Sequence, residues 1–237
     1  MKQKLEQYVI VLTGATNDIG RPLAEALSLQ GTKLVLASRE SSLDALAQTC
    51  AQYGGDVLPL ALERTDFDGM ERLAQRILDS FGRIDVWINN DTISLPGRFE
   101  ELPMEDHRRV LETGLFGTLH GARAALPVFY RQGYGSLINN AALPMSTVGT
   151  TAGAYFISRH GIRGLGAVLR QEADLAGQKH IHISSVLPAT MDDDGGRKKE
   201  IPSAQAQALQ IADTILACVL HPRREVFVGA AARTLRV

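Results

Sequence analysis

Residues 9–22 read Val-Ile-Val-Leu-Thr-Gly-Ala-Thr-Asn-Asp-Ile-Gly-Arg-Pro, and the fold class follows from how this stretch changes character. Val9–Thr13 is a short apolar run, the pattern of a strand buried on both faces. Gly14 permits a sharp turn. Pro22 falls in the first turn of the next segment, where a helix tolerates proline, so a helix is expected over Arg21–Gln30. Strand, tight turn and helix in that order form a phosphate-binding element. The helix start offers N–H groups without intrahelical partners and the positive end of its dipole to a pyrophosphate. The plain alternative is a strand–helix turn with no ligand; the flanking strand and helix favour the nucleotide reading.

The same alternation continues outward. Strands are expected at Lys33–Ser38, Val57–Leu62, Asp85–Asn89, Gly135–Asn139, His182–Leu187 and Glu225–Val228. Helices are expected near Leu43–Tyr53, Met70–Phe81, Met104–Tyr130, Ala154–Ala176 and Ala204–Leu220. This order implies an α/β fold: a doubly wound parallel sheet of about seven strands between two layers of helices, the Rossmann arrangement. Right-handed crossovers place its ligand site beyond the carboxyl ends of the strands. Without a repeat or a Pro/Ser-rich linker, residues 1–237 read as one domain.

Composition narrows the function class. Twenty-five basic and 26 acidic residues leave a formal charge of −1, which points to no nucleic-acid partner and no anionic membrane. No apolar stretch reaches the ~18–20 residues of a membrane helix. The polar residues Met1–Gln7 do not resemble a signal peptide. Cys50 and Cys218 lack metal or redox spacing and read as free thiols of a cytoplasmic protein. None of the six histidines has metal-ligand spacing, so no metal site is expected.

The turn Thr13-Gly14-Ala15-Thr16-Asn17-Asp18-Ile19-Gly20 resembles the T-G-x-x-x-G-x-G of short-chain dehydrogenases, with Asp18 at the middle glycine. The resemblance extends over nearly the whole chain. Asn89-Asn90-Asp91-Thr92 resembles the family's N-N-A-G, and Tyr155-Phe156-Ile157-Ser158-Arg159 its Y-x-x-x-K. It implies a dinucleotide held by Gly14, Thr16, Asn17, Ile19 and Gly20, with Asn89, Tyr155 and Arg159 further along the site. Arg39, at the end of the second strand, suits a 2′-phosphate and favours NADP(H) over NAD(H), although it also reads as a residue opening the next helix. Glu63 resembles the family's acidic residue near the adenine. Two carboxylates, Asp18 and Asp91, stand near the presumed phosphates, so lowered cofactor affinity is the expectation. Asp18 is also a candidate helix cap that would fill the anion site itself.

In the family the tyrosine is the general acid/base and the lysine four residues on lowers its pKa; that spacing puts both on one helix face. Arg159 keeps the charge but not the lysine's geometry or its capacity to lose a proton. The family's serine, thirteen residues before the tyrosine, falls on Ala142, and its asparagine falls on Gly114. Losing an oxyanion donor costs about 10²–10³ in rate; Asn140, Ser146 and Thr147 are candidate substitutes. Gly114, Gly117 and Gly121 also read simply as a close-packing helix stripe. The family's glycine after the sixth strand is lost at Pro188-Ala189, and the charged segment Asp192–Glu200 falls in its substrate-loop region, about residues 189–203.

Three readings follow. The first is a divergent NADP(H)-dependent oxidoreductase that reduces a carbonyl or oxidises an alcohol of a small molecule. The second is a catalytically silent member acting as a binding or regulatory subunit. The third is non-redox chemistry with Asp18 or Asp91 as acid or base. The resemblance further implies a homodimer or homotetramer.

Overall fold

In the computed structural model, residues 5–39, 42–63, 65–141, 152–187 and 203–228 are described. They form a seven-stranded, fully parallel sheet of order β3-β2-β1-β4-β5-β6-β7. The strands are β1 (Val9–Thr13), β2 (Lys33–Ser38), β3 (Asp56–Ala61), β4 (Val86–Asn89), β5 (Gly135–Asn140), β6 (Ile181–Leu187) and β7 (Glu225–Phe227). The helices are α1 (Gly20–Ser28), α2 (Leu43–Gln52), α3 (Phe67–Phe81), α4 (Met104–Leu111), α5 (Gly117–Gln132), α6 (Gly153–Leu175) and α7 (Ala204–Leu220). A π-turn, Glu112–Phe116, joins α4 to α5.

Strand alternation builds two core layers. Ile10 and Leu12 of β1, Leu34 and Leu36 of β2 and Ile88 of β4 pack under α1, α2 and α7. Val9, Val11, Val35 and Trp87 face the opposite side, under α3 and α5. Successive side chains of a strand point to opposite faces, so continuous apolar runs are what a sheet covered on both sides requires. The strand order reverses between β1 and β4, and a ligand crevice opens at that switch point in folds of this kind.

Two elements depart from the expected bounds. Helix α3 begins at Phe67 rather than Met70 because the Asp66 side chain accepts from Gly69 N at 2.9 Å and caps it. The single helix expected over Met104–Tyr130 is interrupted by the π-turn, and Thr118 Oγ1, at the start of α5, donates back to Gly114 O at 2.8 Å. Such turns are rare and gather at functional sites. Among the described residues no helix is long and apolar enough to cross a membrane. Cys50 and Cys218 are free and buried, and burial pushes both thiols up.

Candidate active site

The turn after β1 is tight. Gly14 has φ 61°, and a Cβ there would lie 2.5 Å from Asp91 Oδ1. A Cβ on Gly20 would overlap the Gly14 and Ala15 carbonyls, so both positions exclude a side chain. The start of α1 is capped from within: Asn17 Oδ1 accepts from Ile19 N at 3.0 Å and Gly20 N at 2.7 Å. Asp18, the cap the sequence suggested, is exposed instead. Asn17 lies two and three residues before these donors, the reach of an Asx turn, and so wins the cap. Thr16 is turned away from the crevice: its hydroxyl meets Ser38 Oγ at 2.6 Å and ties the turn to β2.

A chain of carboxamides runs along the carboxyl edge of the sheet. Asn90 Nδ2 donates to Asn17 Oδ1 and to Gly14 O, each at 3.2 Å. Asn140 Nδ2 donates to Asn90 Oδ1 at 2.9 Å. One layer below, Asn89 Nδ2 donates to Asn139 Oδ1 at 2.9 Å, while Asn89 Oδ1 accepts from the Trp87 indole. A Cβ on Gly121 would overlap Asn89. Asn89 is thus a buried strand tie, and the glycine stripe serves close packing here.

At the end of β2, Arg39 pairs with Glu63 at 3.4 Å, both about half exposed. An exposed pair of this kind adds little stability and can be exchanged for another partner. Arg21 lies next to this corner, donating from Nε to Thr16 O at 2.9 Å and from Nη2 to Ser42 Oγ at 2.8 Å. Nothing in the local motif singled out Arg21; its side chain reaches back over the turn from the first turn of α1.

Tyr155 and Arg159 do share one face of α6. The guanidinium carbon lies 5.1 Å from the Tyr155 ring centroid, and both side chains are 2% exposed. Arg159 Nη1 donates to Asn140 O at 2.6 Å, Nη2 to Asp91 O at 3.4 Å, and Nε to Ser158 Oγ at 3.3 Å. The cation therefore bridges the ends of β4 and β5. Burial pushes the Tyr155 phenol up; the Arg159 charge, then the neighbouring Thr92 side chain, pull it part of the way back. Thr92, at the last glycine of the N-N-A-G pattern, was not recognisable as a partner of Tyr155. Ala142, Ser146, Thr147, Pro188, Ala189 and Asp192–Glu200 lie outside the described residues.

A separate cavity of about 210 Å³, lined by Arg170, Asp174, Lys179, His182, Arg223 and Arg224, opens at the amino ends of β6 and β7. It is at the other end of the sheet and takes no part in this arrangement.

The family described as short chain dehydrogenase matches residues 8–203. The uncharacterized oxidoreductase YxnA of Bacillus subtilis is 26% identical over 244 residues, covering 98% of this chain and 68% of that protein. A short-chain dehydrogenase/reductase of Burkholderia phymatum, solved in complex with NAD, superposes with a TM-score of 0.81 at 21% identity, over 98% of this chain and 92% of that one. A metagenomic short-chain oxidoreductase solved with NADP superposes with a TM-score of 0.78 at 23% identity, over 95% and 98% of the two chains.

Proposed function

This chain belongs to the short-chain dehydrogenase family, and on that footing we propose that it is a single-domain, NADP(H)-dependent oxidoreductase acting on a small carbonyl compound or the corresponding alcohol. The observation that carries this reading is Tyr155, buried against the Arg159 cation at the carboxyl edge of the sheet, near the strand-order switch.

The residues present fit a dinucleotide. Gly14 and Gly20 keep side chains out of the two tightest points of the turn. The Ile19 and Gly20 N–H groups are held by a neutral carboxamide that a pyrophosphate can replace. Thr16 supports the turn from behind, Asn90 holds it from the side of β4, Asn89 ties β4 to β5 one layer below, and Tyr155 and Arg159 lie toward the reacting end. Arg39 would meet a 2′-phosphate in exchange for Glu63, with Arg21 adjoining, and Glu63 lies toward the adenine. The solved relatives, one with NAD and one with NADP, support a nicotinamide cofactor; the basic end of β2 favours the phosphorylated one.

When bound, the cofactor supplies the hydride. Tyr155 supplies the proton: burial keeps the phenol protonated at neutral pH, so Oη is charged with a proton for a carbonyl oxygen. Arg159 stabilises the phenolate left behind, and being permanently protonated it acts by charge alone. The exposed apolar side chains Phe116, Leu119, Ile157 and Val168 support a homodimer or homotetramer. Ile157 and Val168 are about three helical turns apart, on one stripe of α6.

Titrating the protein with NADPH and with NADH, followed by nucleotide fluorescence, tests the proposal. Micromolar NADPH binding, tighter than NADH, is expected. Failure of both nucleotides to bind at millimolar concentration would leave the silent, binding-subunit reading in its place.

A further inference from the structure

Gly114 is the middle residue of the π-turn, and its importance lies in the side chain it lacks. A Cβ built there would stand 2.8 Å from Ser158 Oγ and 2.9 Å from a terminal nitrogen of Arg159. Neither neighbour is a loose end. Ser158 is fully buried and accepts from Arg159 Nε, and Arg159 is fixed by the Asn140 and Asp91 carbonyls. The backbone at Gly114 is not in the left-handed region that favours glycine. The requirement is therefore space, not conformation.

A guanidinium is planar and wider than an ammonium, and it needs a pocket shaped for its fork. Here that pocket is closed on one side by the Tyr155 ring, on another by the two strand-end carbonyls, and on a third by bare backbone at residue 114. We infer that Gly114 and Arg159 are one coupled unit. The missing side chain at 114 admits the arginine at 159, and the arginine so held is a positioning residue that fixes the charge over Tyr155. The link to catalysis rests on Tyr155 being the proton donor; the coupling itself does not.

Four proteins test this: the unaltered chain, G114A, R159K and G114A/R159K. Each is measured for Tm and for the alkaline titration of Tyr155, read as tyrosinate absorbance against the matching Y155F variant. G114A alone is expected to lower Tm by about 3–6 °C. It also raises the Tyr155 titration midpoint, because the added methyl pushes the cation off the ring. Combined with R159K, the same glycine-to-alanine change should leave Tm unchanged or raise it. The slimmer lysine yields the space, Ser158 is released from Arg159 and rotates, and alanine is the better helix former.

Equal losses of Tm in both backgrounds would overturn the coupling. An unmoved Tyr155 midpoint in folded G114A would overturn the positioning role. If G114A does not fold, a folded G114A/R159K upholds the inference and an unfolded one refutes it. None of these measurements needs cofactor or turnover, so absent NADPH binding would sink the proposed function and leave this inference standing.

Discussion

The turn after β1 and the start of α6 lie along the same carboxyl edge of the sheet, and at each a side chain of the protein itself occupies the binding groups. At the turn the occupant is the Asn17 carboxamide, neutral and only partly buried, on the Ile19 and Gly20 N–H groups. At α6 it is the Arg159 cation, 2% exposed, on two main-chain carbonyls. A phosphate can displace the first without stranding a charge. Displacing the second would leave a buried cation without its acceptors, which costs several kcal/mol. On the proposed reading, the nucleotide end of the site is exchangeable and the proton end is built in.

The sharpest way to test that contrast is to remove the built-in end. Tyr155→Phe should reduce turnover by about 10²–10⁴-fold while leaving the NADPH Kd within about threefold, measured by steady-state kinetics beside fluorescence titration. Loss of cofactor binding to the same degree would mean the two ends are not separate. The phenol also makes a linkage prediction. Its folded pKa is raised above that of the unfolded chain, so the folded state keeps the proton longer. Its contribution to stability is therefore intact below about pH 10 and lost as the pH rises through the higher folded value. Tm measured against pH should fall more steeply there for the unaltered protein than for Tyr155→Phe.

At the exchangeable end the expected effects are smaller and ranked. Asp91 is buried with its carboxylate against Gly14, whereas Asp18 is exposed. Asp91→Ala should tighten NADPH about tenfold, since a desolvated like charge beside the phosphates is poorly screened. Asn17→Ala removes a cap and its competition together. It should lower the Tm of the nucleotide-free protein by about 2–4 °C and tighten NADPH by about two- to fivefold. Weaker binding would make Asn17 a ligand contact and break the placeholder reading. Asp18→Gly should change the Kd by less than about threefold.

The sheet was legible almost to the residue, because strands buried on both faces announce themselves as continuous apolar runs bounded by polar ends. The sequence also put Tyr155 and Arg159 on one helix face, since a spacing of four dictates it. What could not be read depends on contacts distant in the chain. The break at Glu112–Phe116 lies where Gly114 meets Ser158 and Arg159, about forty residues away. Asp18 and Asp91 read as equal intrusions, yet one points to water and the other lies under the turn, a distinction set by how β4 pairs with β1. The Arg39–Glu63 pair likewise forms only because β2 and β3 are neighbours.

The carboxamide chain from Asn17 through Asn90 to Asn140 reaches the carbonyl that holds Arg159. Amides neither gain nor lose protons in the range where proteins function, and arginine does not let go of its own. The connection between the two ends of the site is thus a mechanical strut and an electrical insulator. It can transmit a displacement at the turn to the base of the guanidinium, but it cannot carry a proton. On the proposed mechanism, re-protonation of Tyr155 therefore takes a route other than this chain of amides.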